Sequence, residues 1–73
     1  MHTIYMRIDE ELGEQGMQAL QTELKGMGHV TDVEVHRNTP HDILVEFEED
    51  YISPMAILRK LNQRGVHADI ISA

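Results

Sequence analysis

The spacing of apolar residues along this chain switches between every second position and every third or fourth, and this switching constrains the fold most strongly. In residues 2–8 the apolar side chains of Ile4, Met6 and Ile8 alternate with polar or aromatic ones, as in a half-buried strand. In residues 17–27 apolar side chains recur at helical spacing instead. This part of the chain therefore predicts a strand followed by an amphipathic helix.

Charge and glycine indicate where this first helix starts and ends. The acidic stretch 9–12, DEEL, suits the positive end of a helix dipole, so we expect the helix to open there. The pair Gly26 and Gly28 predicts its end, because glycine commonly follows a helix. Two further glycines, Gly13 and Gly16, stand near its beginning. Each costs about 1 kcal/mol relative to alanine in a helix interior and therefore needs a reason.

The middle of the chain predicts a hairpin, because two segments of alternating apolar and polar residues flank a cluster of turn residues. The segments are 30–37 and 42–50, and the turn residues NTPHD occupy 38–42. Phe47 falls on the apolar side of the second segment. We expect Phe47 to be buried in the core.

The last part of the chain predicts a second helix and a short final strand. Ser53 suits the N-cap, Pro54 the first helical position and Gly65 the end of the helix, and residues 66–73 form the strand. The order β-α-β-β-α-β, built from two right-handed crossovers, gives a four-stranded antiparallel sheet with both helices on one face. We predict an α+β, ferredoxin-like fold for residues 1–73 as a single domain.

Net charge and the lack of cysteine limit the possible functions. Thirteen acidic residues against six basic ones give a net charge of −7, which disfavours nucleic acid and anionic membranes as partners. The absence of cysteine excludes disulfides, thiolate metal sites and a cysteine nucleophile. No apolar run is long enough to cross a membrane and no signal-peptide pattern is present, so we expect a cytoplasmic protein.

Several motifs in residues 29–72 resemble the heavy-metal-associated domains of small copper chaperones and metal-transporting ATPases. The chain has a valine pair near the second strand, a V-x-F strand, an S-P-x-x-I-L helix start and a G-x-x-A-x-I ending. That family binds a soft metal ion through a C-x-x-C pair, and aligning the first helix places this pair at Gly13 and Gly16. The family's preceding methionine falls near Glu11. The resemblance therefore implies a member that lacks the thiolate site.

Two other interpretations of these residues stay open. Gly13 and Gly16 share a helix face with Leu20, so they suit a helix that packs close to the sheet. A metal site of another kind is also possible, because the topology puts five candidate ligands at one end of the domain. Carboxylate and imidazole groups suit Zn(II) or Ni(II). The five candidates are Asp9, Glu10, Glu11, His41 and His67.

The uncovered face of the predicted sheet carries an apolar row, Tyr5, Leu44 and Ile71, on a charged background. Such a patch is typical of a docking surface, so we expect a protein partner or self-association there. A chain this short leaves little room for a catalytic pocket. We therefore predict a non-enzymatic interaction module without a cofactor. The alternatives are metal handling through His and carboxylate groups, and a dimeric regulatory domain that binds a ligand.

Overall fold

The computed structural model describes residues 1–72 and contains the predicted elements in the predicted order. In chain order these are β1 (His2–Ile8), α1 (Gly13–Lys25), β2 (Val30–His36), β3 (Thr39–Phe47), α2 (Pro54–Gln63) and β4 (Ala68–Ser72). Neighbouring strands pair antiparallel in the order β2-β3-β1-β4. The predicted ferredoxin-like topology is confirmed.

Both helices pack on one face of the sheet and enclose the hydrophobic core. Phe47 is fully buried, as its position in the alternating pattern predicts. The two central strands β1 and β3 supply most of the buried sheet residues, and each helix contributes its apolar stripe. The buried apolar residues are Ile4, Met6, Ile8, Met17, Leu20, Leu24, Val33, Ile43, Val45, Phe47, Ile57, Leu61 and Val66.

The start and end of α2 follow the local signals in the sequence. The Ser53 Oγ accepts the Ala56 backbone N–H at 3.2 Å, and Pro54 occupies the first helical position. Gly65, just past the helix, has a φ of +78°, a conformation that L side chains rarely adopt. No helix among residues 1–72 is long and apolar enough to cross a membrane.

The start of α1 differs from the prediction. Residues 9–12 form a loop, and the helix begins at Gly13. Gly13 has a φ of +73°, in the left-handed region. A residue with this φ interrupts a right-handed helix, so the acidic stretch before it cannot belong to α1.

The start and end of β3 also differ from the prediction, which placed turn residues at 38–42. The turn takes only Arg37 and Asn38, and β3 runs from Thr39 to Phe47. It ends there because the next carbonyl, that of Glu48, accepts hydrogen bonds from the turn that follows. The hairpin is therefore tighter than the cluster of turn residues indicates.

Candidate functional site

The N-terminus of α1, where the resemblance places metal ligands, is shaped by two glycines and a leucine. Gly13 is exposed, and an added Cβ would meet no atom within 4 Å, but its positive φ disfavours a side chain. At Gly16 an added Cβ would lie 2.8 Å from the Cβ of Leu12, which packs against the core. Gly13 thus serves the backbone conformation and Gly16 the packing of Leu12. Within residues 1–72, no sheet atom comes within 4 Å of either Cβ position, so these glycines do not bring α1 closer to the sheet.

Two of the five predicted metal ligands are in direct contact, at the end of the domain where the β1-α1 and α2-β4 loops meet (the loop end). The Glu10 Oε2 lies 2.6 Å from the His67 Nδ1, and the Glu10 Oε1 accepts the His67 backbone N–H at 2.8 Å. The Asp9 backbone N–H donates to the His67 carbonyl at 2.8 Å. These bonds join the β1-α1 loop to the α2-β4 loop.

The contact between Glu10 and His67 changes the acidity of both side chains. The hydrogen bond from His67 lowers the pKa of Glu10. The same bond, with the negative charge of Glu10, raises the pKa of His67. Each group therefore favours the charged form of the other.

The other predicted ligands do not join this pair. The His41 Nδ1 lies 2.8 Å from the Ile8 carbonyl oxygen, and Glu11 and His41 both line a groove beside α1. Across the described residues 1–72, no three His, Asp or Glu side chains come together as a metal site. The structure therefore bonds the side chain of Glu10 to His67, and bonds Asp9 to His67 through the backbone alone.

A groove of about 610 Å³ lies between α1 and the β2-β3 hairpin. At its margin, the Arg37 Nη2 in the hairpin turn donates to the Glu14 Oε1 in the first turn of α1 at 3.0 Å. Sequence reasoning missed this groove because one wall depends on the hairpin turn, which was predicted at 38–42. Its size is within the range of small-ligand pockets. The apolar lining residues are Leu12, Met17, Val35 and Pro40.

The three residues predicted to form an apolar row occupy neighbouring strands. Leu44 on β3 lies directly opposite Tyr5 on β1. Ile71 lies on β4 at an irregularity in its pairing with β1 next to Tyr5, and it is 51% exposed. Residues that face each other in an antiparallel pair bring their Cβ atoms to within about 5.5 Å. Leu44 and Tyr5 thus lie side by side on the face opposite the helices, and the exposed Ile71 lies on the next strand, β4.

Asp42 is a buried charge on this open face. It is 7% exposed, its Oδ2 accepts a hydrogen bond from the Tyr5 hydroxyl, and its Oδ1 lies 3.2 Å from the Arg7 Nε. The Tyr5 hydrogen bond, followed by the Arg7 contact, lowers the pKa of Asp42 and outweighs its burial. Sequence reasoning placed Asp42 in the turn, although its position two residues before Leu44 assigns it to the same face.

Comparison with models of known families finds no match, and no curated protein is significantly similar in sequence. Solved structures are nevertheless similar over nearly the whole chain. The copper-binding domain of HMA7, a P-type ATPase, has a TM-score of 0.87 at 15% identity, covering 99% of this chain and 96% of that one.

Two further solved structures have the same architecture. Oxidised MerP from Ralstonia metallidurans has a TM-score of 0.85 at 13% identity, covering 97% of each chain. The copper(I)-loaded first domain of the human copper chaperone for SOD1 has a TM-score of 0.78 at 21% identity, covering 96% of this chain and 92% of that one. The predicted resemblance is therefore confirmed for the fold: this chain has the ferredoxin-like fold of heavy-metal-associated domains and contains no cysteine.

Proposed function

We propose that this domain is a non-enzymatic protein-interaction module whose contact surface is the open face of the sheet. The observation that carries the proposal is that Leu44 and Tyr5 face each other on adjacent strands, with the exposed Ile71 on the next strand; we take these three residues as an apolar row. Tyrosine is enriched among the residues that supply most of the energy of protein contacts, and an apolar patch on a charged surface is typical of an interaction site.

The charges around the row indicate the chemistry of the partner. Carboxylates of Asp32, Glu34 and Glu46 surround Leu44 and line a shallow depression of about 140 Å³. The positive charge of Arg7 on this face is already paired with Asp42. Two such acidic faces repel each other, so we favour a partner with basic and apolar side chains over a second copy.

The N-terminus of α1 supports a role other than soft-metal transport. Solved domains with this fold include copper-binding ones, whereas this chain offers no thiolate. Gly13 and Gly16 both have structural reasons to be glycine, namely a positive φ and the packing of Leu12. The groove beside them favours a second candidate function, the binding of a small molecule.

NMR titration of the 15N-labelled chain with two synthetic peptides tests the proposal. One peptide alternates lysine with leucine, and the other alternates glutamate with leucine. We expect the basic peptide to shift the amide signals of Tyr5, Leu44 and Ile71, and the acidic peptide to shift them much less. The variant L44R should lose the response, whereas M55R should keep it, because Met55 is 60% exposed on α2, away from the open face.

Three results would count against the proposal. Equal shifts with both peptides would show that charge does not select the partner. Shifts confined to the groove, around Leu12 and Met17, would favour the small-molecule candidate. Saturable shifts at Glu10 and His67 on addition of Zn(II), with no response to either peptide, would favour metal handling.

A further inference from the structure

The strand β2 lies at the edge of the sheet, and a free strand edge is a surface on which a second copy can add its own strand. Pairing of β2 with β3 is irregular between Val30 and Asp32, and again between Val35 and His36. The regular part of β2 is therefore residues 32–35. A strand added to the free side must form its backbone hydrogen bonds with this short stretch.

Within that stretch, both backbone polar groups of Val33 are already bonded to side chains. The Asp32 Oδ1 accepts the Val33 N–H at 2.9 Å, and the Gln21 Nε2 donates to the Val33 carbonyl at 2.6 Å. Successive residues of a strand direct their backbone groups to alternate sides. The Val33 N–H and carbonyl bond the side chains of Asp32 and Gln21, so we assign them to the side of β2 that faces away from β3. They are therefore the groups that a strand added on the free side would have to bond.

Helix α1 contributes to both of these side-chain caps. Gln21 lies on α1 and is half-buried, so its amide is held beside β2. One turn later, the Lys25 Nζ lies 3.8 Å from the Asp32 Oδ1, the same oxygen that accepts the Val33 N–H. We propose that Gln21 and Asp32 close the free edge of β2 against pairing with a second copy of this chain.

A pair of double variants tests this closure. The variant Q21M/D32A removes the donor and the acceptor that cap Val33. The control Q18M/E34A makes the same changes of side-chain type and charge on the same two elements, at exposed positions that do not bond Val33. Sedimentation equilibrium measures association of the full chain, and amide hydrogen exchange locates it.

We expect Q21M/D32A to self-associate about tenfold or more tightly than wild type and the control, because an added strand gains backbone hydrogen bonds at Val33. Protection of the Val33 amide should then rise with protein concentration. Association no tighter than that of the control, or association without protection at Val33, would overturn the proposal. If circular dichroism shows that the double variant is unfolded, Q21M and D32A are measured singly, each with an expected intermediate effect.

Discussion

Replacing Gly16 with alanine tests whether Leu12 sets the structure at the start of α1. The new Cβ would lie 2.8 Å from the Leu12 Cβ, closer than real Cβ atoms approach each other. The Leu12 Cβ is bonded to the backbone and cannot rotate away, so the loop must move. Overpacking of this kind costs about 1–3 kcal/mol, whereas alanine in a helix interior gains about 1 kcal/mol over glycine. We expect G16A to lower the free energy of unfolding by about 0–2 kcal/mol, measured by urea denaturation.

Variants of Leu12 separate this contact from helix propensity. In L12G the opposing Cβ is gone, so adding G16A should stabilise the protein by about 1 kcal/mol. In L12A the Cβ remains, so adding G16A should give no such gain. If G16A stabilises the wild-type protein by about 1 kcal/mol, as in an unobstructed helix, the Leu12 contact does not constrain this position.

Gly13 provides a control with a different physical cause. A Cβ at Gly13 meets no atom within 4 Å, but the φ of +73° remains unfavourable for it. We expect G13A to cost about 1–2 kcal/mol, and G13N less, because asparagine tolerates the left-handed region. Equal costs for the two substitutions would contradict the assignment of strain to φ.

Four further predictions address the core, the contacts of Asp42 and His67, and the two glycines at which the resemblance places cysteine. F47A should cost about 3–5 kcal/mol in a melting experiment. D42N should be less stable than wild type at pH 7, with a difference that shrinks as pH falls below about 4, because a lowered pKa stabilises only the ionised state. H67Q should be less stable than wild type, and the difference in stability should be largest below about pH 6.5. The difference should fall as the pH rises through the raised pKa of His67, because only the protonated imidazole gains from Glu10. Wild type should not compete with a Cu(I) chelator, and G13C/G16C should do so only with reduced stability.

Local signals explain which parts of the fold were predictable. The cap and first turn of α2 need only Ser53 and Pro54, so a short stretch of sequence contains the whole signal. The start of α1 was mispredicted because two signals compete there. Acidic residues favour a helix N-terminus, but the positive φ of Gly13 starts the helix after them. A φ value is a property of the folded backbone, and glycine permits either sign.

The open face was predictable where it depends on alternation and missed where it depends on register. Tyr5 and Leu44 follow from the period of two in each strand. The burial of Asp42 depends on which residue of β1 lies opposite it, and that residue, Arg7, is 35 positions away. A turn sets the register only within a hairpin, whereas α1 and β2 separate β1 from β3 in the chain, so no local signal gives the register of this pair.

The loop end shows why topology alone does not predict a metal site. The fold brings the two loops together, as the contact between Glu10 and His67 shows. However, each imidazole there already has a partner, because His41 bonds the Ile8 carbonyl and His67 bonds Glu10. These bonds use only the Nδ1 atom of each ring, and a metal-bound histidine commonly holds its other ring nitrogen in a bond of this kind. What topology does not show is whether the candidate side chains converge, and across residues 1–72 no three His, Asp or Glu side chains come close enough to hold a metal ion.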